Sequence, residues 1–266
     1  MEHLFSFWLH PSHPDFDQLI VGGVFNLTHL VLTLILGLIG IIIYRFLVGL
    51  KPEKRQAYFQ GIAIFLLCLE IIRMSWNVVA ADGWYAKDVW PLYTCGIFVI
   101  IFPFYAFNTP FKKWTEGFIA LGAMLAGIVF LIFPSTGLAI FPLWHLNTII
   151  SSIMHLMMAV IGAVFFFDRS RRLKLFDFYS AMFIVFLFAG ISLLYNLFDP
   201  ETNFFFIKAP FAETPLQLIF DWFGQPGYGI SIVLLHVLEG FTMYILHQRF
   251  IYKALKNDAT SVAFDQ

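Results

Sequence analysis

"FNLTHLVLTLILGLIGIIIY", residues 25–44, runs for twenty residues without one Asp, Glu, Lys or Arg. About 20 apolar residues at 1.5 Å rise cross a hydrocarbon core of roughly 30 Å, so the stretch reads as a membrane-spanning helix. Six further runs of this kind follow, and the seven spans are expected near 18–48, 57–79, 89–108, 115–134, 144–167, 177–197 and 224–247. The 266 residues are 60% hydrophobic and 12% charged, more apolar surface than a soluble domain of this size can bury. Membrane β-barrels show short alternating segments instead of long continuous ones. The expected fold class is therefore all-α: one polytopic membrane domain over 1–266, built as a seven-transmembrane-helix bundle.

Charge placement orients the bundle. Of the 16 Lys and Arg residues, 13 fall in alternate loops or the tail: Arg45, Lys51, Lys54, Arg55, Lys112, Lys113, Arg169, Arg171, Arg172, Lys174, Arg249, Lys253 and Lys256. Only Arg73, Lys87 and Lys208 lie elsewhere. Basic loops favour the cytoplasmic side, which puts the N-terminus outside and the C-terminus in the cytoplasm. The net charge of −1 gives no reason to expect a nucleic-acid partner. The first 17 residues carry Glu2, Asp15 and Asp17 and have no basic leader, so the first helix is expected to be retained. Cys68 and Cys95 both fall within spans, which suggests neither a disulfide framework nor a metal site, and no cofactor is expected.

Ionisable groups inside spans are expensive and usually face the bundle interior. Glu70, Arg73 and Asn77 in "CLEIIRMSWN" follow at three and four residues, which stacks them on one helix face. A Glu–Arg pair that only locks helices together is the plain alternative. In "WHLNTIISSIMHLMM", His145, Thr148, Ser152 and His155 form a polar stripe at helical spacing. His29 with Asn26, and His236 with Glu239, add polar groups to the first and seventh spans. At 1.5 Å per residue, His29 and His155 are expected about 16–18 Å, and Cys95 about 9 Å, below the outer ends of their helices. Tilt brings those depths within one site in the outer half of the membrane. Pro91 suits the first turn of the third helix, so Cys95 is expected near a helix N-terminus, which favours a thiolate. A histidine that takes the thiol proton completes a nucleophilic pair. The plain alternatives are a cysteine that is a small buried hydrophobe and histidines that only pack.

The order of these elements resembles a known family. His29 in the first helix, "LLCLEIIRMSW" in the second, "WPLYTC" opening the third, "WHLNTIISSIMH" in the fifth and "YNLFDPETNFFFIKAP" leaving the sixth are similar to the YwaF-like integral membrane family, to which the eukaryotic transmembrane protein 164 belongs. The resemblance covers roughly 25–235. It implies a seven-helix enzyme that moves acyl chains among glycerophospholipids, with Cys95 and His155 as the catalytic pair and His29 and Glu70 at positions that recur in the family. The family commonly has a histidine two residues before the cysteine. Tyr93 stands there in this chain, which shifts the role of general base to His155 or His29.

The expected function is acyl transfer at the cell membrane, a bacterial plasma membrane rather than an organelle. A membrane phospholipid is the acyl donor and a lipid or lipoprotein the acceptor. Cys95 attacks the donor ester, with His155, His29 and Glu70 as the other catalytic candidates. Arg73 is placed to hold a lipid phosphate. Tyr93, His145, Ser152, Tyr195 and Asn196 are candidate substrate contacts, and backbone N–H groups at the start of the third helix, with Asn196 or Tyr195, are candidate oxyanion donors. A different class, a small-molecule or proton-coupled transporter, is built from Glu70, Arg73, His155, His236 and Glu239. A retinal protein is excluded because no lysine lies between Gly224 and His247.

Overall fold

The computed structural model describes residues 9, 11, 22–80, 89–134, 137–210 and 214–264, with side chains to 254. The expectation for residues 1–17, the start of the first expected span at 18–21, and Lys87 lie outside the described residues. Among those described there are only helices and turns. In chain order they are α1 (Leu27–Gly49), α2 (Pro52–Ala80), α3 (Thr94–Ala106), α4 (Lys112–Ile132), α5 (Leu146–Phe166), α6 (Leu175–Phe198), a 3-10 turn (Phe204–Phe206) and α7 (Leu216–Phe264).

Six of these helices are long and apolar enough to cross a membrane; α3, at thirteen residues, is not. Thirteen residues rise only about 20 Å against a core of roughly 30 Å. The expected span at 89–108 is cut short because Pro91 and the extended Tyr93 precede the helix. The chain is therefore a multi-pass membrane protein of six spanning-length helices plus one shorter apolar helix.

α1 begins later than the apolar run suggested. Asn26 caps it by accepting the His29 N–H at 2.9 Å, and Gly23 with φ 72° makes the turn into it. α4 is interrupted by a π turn at Ile119–Ala123, and α7 breaks at Gly224 (φ 56°) before a cis Gln225–Pro226 bond.

α5 is the central helix. Its most apolar window is 78% buried inside the bundle, against 11% for α1, which faces the lipid with Leu30, Leu34, Leu38 and Ile42. α4 runs along both α5 and α6, α3 packs on α2, and α7 leans on α6 and the π turn. Gly127 permits one of the close approaches between α4 and α5, since a Cβ there would stand 2.5 Å from His155 O and Ala159 N.

One end of the bundle gathers the basic loops. Arg55 pairs with Asp168 at 3.3 Å, and Arg171 pairs with Glu116 and meets the Tyr105 hydroxyl at 2.8 Å. His247 reaches Phe166 O at 2.8 Å and Arg171 O at 3.1 Å. The loops carrying 51–55, 112–113 and 169–174 are thus tied into one rim. The opposite end is closed by an aromatic cap around Phe204–Phe206.

Candidate active site

Cys95 is the second residue of α3. The turn before it, "WPLY", is held by Leu92 N–H donating to Trp90 O at 2.9 Å. N–H groups in the first turn of a helix have no partner within the helix. Cys95 and Gly96 stand in that first turn, so their N–H groups are among those with no partner inside the helix. Gly96 is needed because a Cβ there would lie 2.6 Å from Pro91 O and 2.8 Å from Pro91 Cα. The thiol is free and partly buried against the core, whereas Cys68 is exposed on the lipid side.

Glu70 and Arg73 form a two-point ion pair on α2, with Arg73 Nη2 2.6 Å from Oε1 and Nε 2.9 Å from Oε2. The pair acts electrostatically on Cys95, and Arg73 also on Tyr93. Glu70 therefore orients a guanidinium, not a histidine. Two of the guanidinium nitrogens are occupied by that carboxylate, and Arg73 keeps 18% of its side chain accessible.

His155 is buried on α5. Its Nδ1 lies 2.7 Å from Ser151 O, and a ring nitrogen facing a carbonyl oxygen carries the proton. The other nitrogen, Nε2, is left with its lone pair and no hydrogen-bond partner among the described residues. Phe130 of α4 stacks on the ring at 3.6 Å and fixes its plane.

α2 and α5 are antiparallel neighbours: Asn147 donates to Asn77 at 3.5 Å towards the capped end, and Phe59 meets Phe165 at 5.7 Å towards the basic end. Eighteen residues separate the two contacts on each helix. Glu70 and His155 stand seven and eight residues from the capped-end contact, so both lie about 10–12 Å below it. Glu70 and His155 thus share one level of the bundle, with Arg73 about one turn nearer the capped end. Among the described residues no hydrogen bond joins Cys95 to a histidine.

The remaining candidates sit elsewhere. His29 is in the first turn of α1, at the capped end instead of mid-span, because the helix starts at Leu27. Its Nδ1 accepts the Phe25 N–H at 3.0 Å and its Nε2–H donates to Leu131 O at 3.0 Å, so both nitrogens are committed to backbone. His145 caps α5, accepting the Asn147 N–H at 3.2 Å and donating to Leu9 O at 3.1 Å, with Phe141 stacked on it at 4.3 Å. Ser152 and Thr148 line a separate groove of about 510 Å³ between α1 and α5, with Leu32, Leu36, Trp144 and Ile153.

Tyr93, Tyr195 and Asn196 belong to the cap. Asn196 grips Phe204 twice: Nδ2–H donates to Phe204 O at 2.9 Å and Oδ1 accepts the Phe204 N–H at 2.8 Å. Phe205 and Phe206 take the left-handed conformation, at φ 57° and 54°, which bulky residues adopt only when held there. Asn203 helps to hold them, donating to Ala209 O at 2.8 Å and accepting the Lys208 N–H at 3.0 Å. Tyr93 packs on Phe206 at 5.1 Å and on Phe204 at 5.4 Å, and Tyr195 meets Trp90 at 5.6 Å. The cap thus closes over the start of α3.

Two contributors were not singled out from the sequence. The Ser151 carbonyl sets the His155 tautomer, and Phe130 sets its plane. The first was within reach, since a residue four before a helical histidine presents its carbonyl to Nδ1. Phe130 needs the α4–α5 packing to be known.

The sequence model of the TMEM164 family matches residues 24–247, and the chain belongs to that family. No curated protein and no solved structure matches the chain.

Proposed function

We propose that this chain is a membrane-embedded acyltransferase that moves a fatty acyl chain between membrane lipids, or from a phospholipid to a lipoprotein. Cys95 is the nucleophile and His155 the base. The observation that carries the reading is a free, partly buried Cys95 in the first turn of α3, within electrostatic reach of the Glu70–Arg73 ion pair. His155, level with Glu70 and holding an open Nε2 lone pair, supports it.

The reaction balances with these groups alone. Nε2 takes the thiol proton as sulfur attacks the donor ester carbonyl. The C–O bond breaks, the alcohol leaves with that proton, and a thioester remains on Cys95. The acceptor hydroxyl or amine gives its proton to Nε2 as it attacks the thioester, and the C–S bond breaks to restore the thiol. The N–H groups of Cys95 and Gly96 serve the developing oxyanion. Arg73 attracts the lipid phosphate.

On this reading the basic rim faces the cytoplasm, the aromatic cap faces outward, and the site lies in the outer half of a bacterial plasma membrane. With the cap overhead, substrates enter sideways from the lipid. The experiment is a transfer assay in vesicles with a labelled acyl donor and a lysophospholipid or peptide acceptor. Wild type moves the label and Cys95→Ala does not; equal transfer by both ends the proposal. A second reading, a proton-coupled transporter, is favoured by a separate small cavity that holds His236 and Glu239, and solute uptake without acyl transfer supports it.

A further inference from the structure

A cavity of about 30 Å³ lies where α3, α4, α5, α6 and α7 meet. Almost all of its wall is apolar, from Leu121, Ala126, Met158 and Val185 among others. Three polar side chains line it: Thr94, His236 and Glu239. Oε1 of Glu239 is buried and has no hydrogen-bond partner among the described residues. His236 has Nδ1 2.9 Å from Ile232 O, which puts the proton on Nδ1 and leaves Nε2 as a bare acceptor. The Thr94 hydroxyl makes no hydrogen bond within the described residues. The wall facing Glu239 includes the π turn at Ile119–Ala123, where the helix widens; such turns concentrate at functional positions.

An acidic side chain in a membrane interior is tolerated when its oxygens find partners. A buried water needs about 10–15 Å³ and two to four polar partners, typically three. This cavity offers the space for one molecule and three unmatched groups: two acceptors and one hydroxyl. A water donating to Glu239 Oε1 and to His236 Nε2, and accepting from Thr94 Oγ, satisfies all three.

We propose that the cavity binds a single water molecule and that this water links Glu239 and His236 into a proton-exchanging pair. When the carboxyl group is protonated its O–H donates to the water instead, and one proton then passes from the carboxyl group to the water as another passes from the water to Nε2. The net change is one proton moved, and the return step restores both groups. Phe205 of the cap lies 4.7 Å from the His236 ring, so the pair sits directly under the cap. The site is independent of Cys95 and of the acyl-transfer reading.

The test uses the full chain in nanodiscs. Density maps that resolve water should show one molecule within hydrogen-bonding distance of Thr94, His236 and Glu239. Infrared spectra should show a carboxyl C=O band that shifts promptly in D₂O and is missing from Glu239→Gln. If Glu239→Gln does not fold, Thr94→Val assigns the band instead, by moving its frequency when the water loses a partner. An empty cavity, an ion surrounded by more than three oxygen ligands, or a carboxyl band that does not exchange overturns the proposal. None of these readouts uses transfer activity, so failure here leaves the Cys95 reading untouched.

Discussion

Replacing Asn196 with Ala removes both bonds that anchor the aromatic cap. Phe204 is fully buried and Asn196 is 5% exposed, so the freed Phe204 N–H and C=O have no ready access to water. Each buried polar group left unpaired costs about 1–3 kcal/mol, which sets the loss at roughly 2–6 kcal/mol if the cap stays in place. For a chain of this size that corresponds to a melting temperature lower by roughly 4–24 °C. If the cap lifts instead, water pairs the two groups, the loss falls towards the lower limit, and the 199–210 segment becomes open to protease. Asn196→Asp keeps the acceptor for the Phe204 N–H but sets an oxygen against Phe204 O, so it is at least as damaging. The assay is thermal unfolding in detergent followed by size-exclusion chromatography, paired with limited proteolysis. A melting temperature within about 1 °C of wild type together with an unchanged cleavage pattern refutes the reasoning, since even one unpaired group costs more than that.

Gly96→Ala pushes a methyl group into Pro91 backbone and is expected to cost about 1–3 kcal/mol, with thiol labelling of Cys95 altered because α3 no longer starts in the same place. His29→Phe keeps a ring but loses two backbone hydrogen bonds; a stability loss of about 1–3 kcal/mol should come with unchanged transfer per folded molecule, and lost transfer would return His29 to the catalytic unit. His155→Ala should abolish transfer to the same extent as Cys95→Ala and not deepen the loss in the double variant, because members of one catalytic unit are not additive. Cys68→Ala should be silent in both melting and transfer, since that side chain faces lipid.

Apolar length was the most legible property of the chain. Five of the seven expected spans map onto helices that begin and end within about five residues of expectation. The misjudged boundaries have local causes. Asn26 and Gly23 mark the start of α1, but apolar residues on either side of them hide it within a longer run. Pro91 was read as a first-turn residue, while the structure starts α3 three residues later and leaves it too short to span. α7 runs past its expected end at 247, because the basic residues after it continue the helix. The π turn in α4 has no signature in "IALGA".

The site was legible in part. Glu70 and Arg73 pair at the spacing that suggested it, and Cys95 stands at a helix N-terminus as Pro91 implied. The histidines could not be sorted from sequence, because what separates them is the partner of each ring nitrogen. His29 and His145 have both nitrogens engaged, and His155 has one. Asn196 read as a candidate for substrate contact, since an amide near the end of an apolar helix carries no sign that the following loop folds back onto it.

The central claim is that Cys95 carries the acyl group. Intact-protein and peptide mass spectrometry after incubation with phospholipid, quenched at low pH, tests it most directly. The account predicts one added acyl mass on the peptide containing Cys95, discharged by acceptor or hydroxylamine, absent from Cys95→Ala and absent from the Cys68 peptide. Full acyl transfer with no adduct on Cys95, or an adduct confined to Cys68, contradicts it.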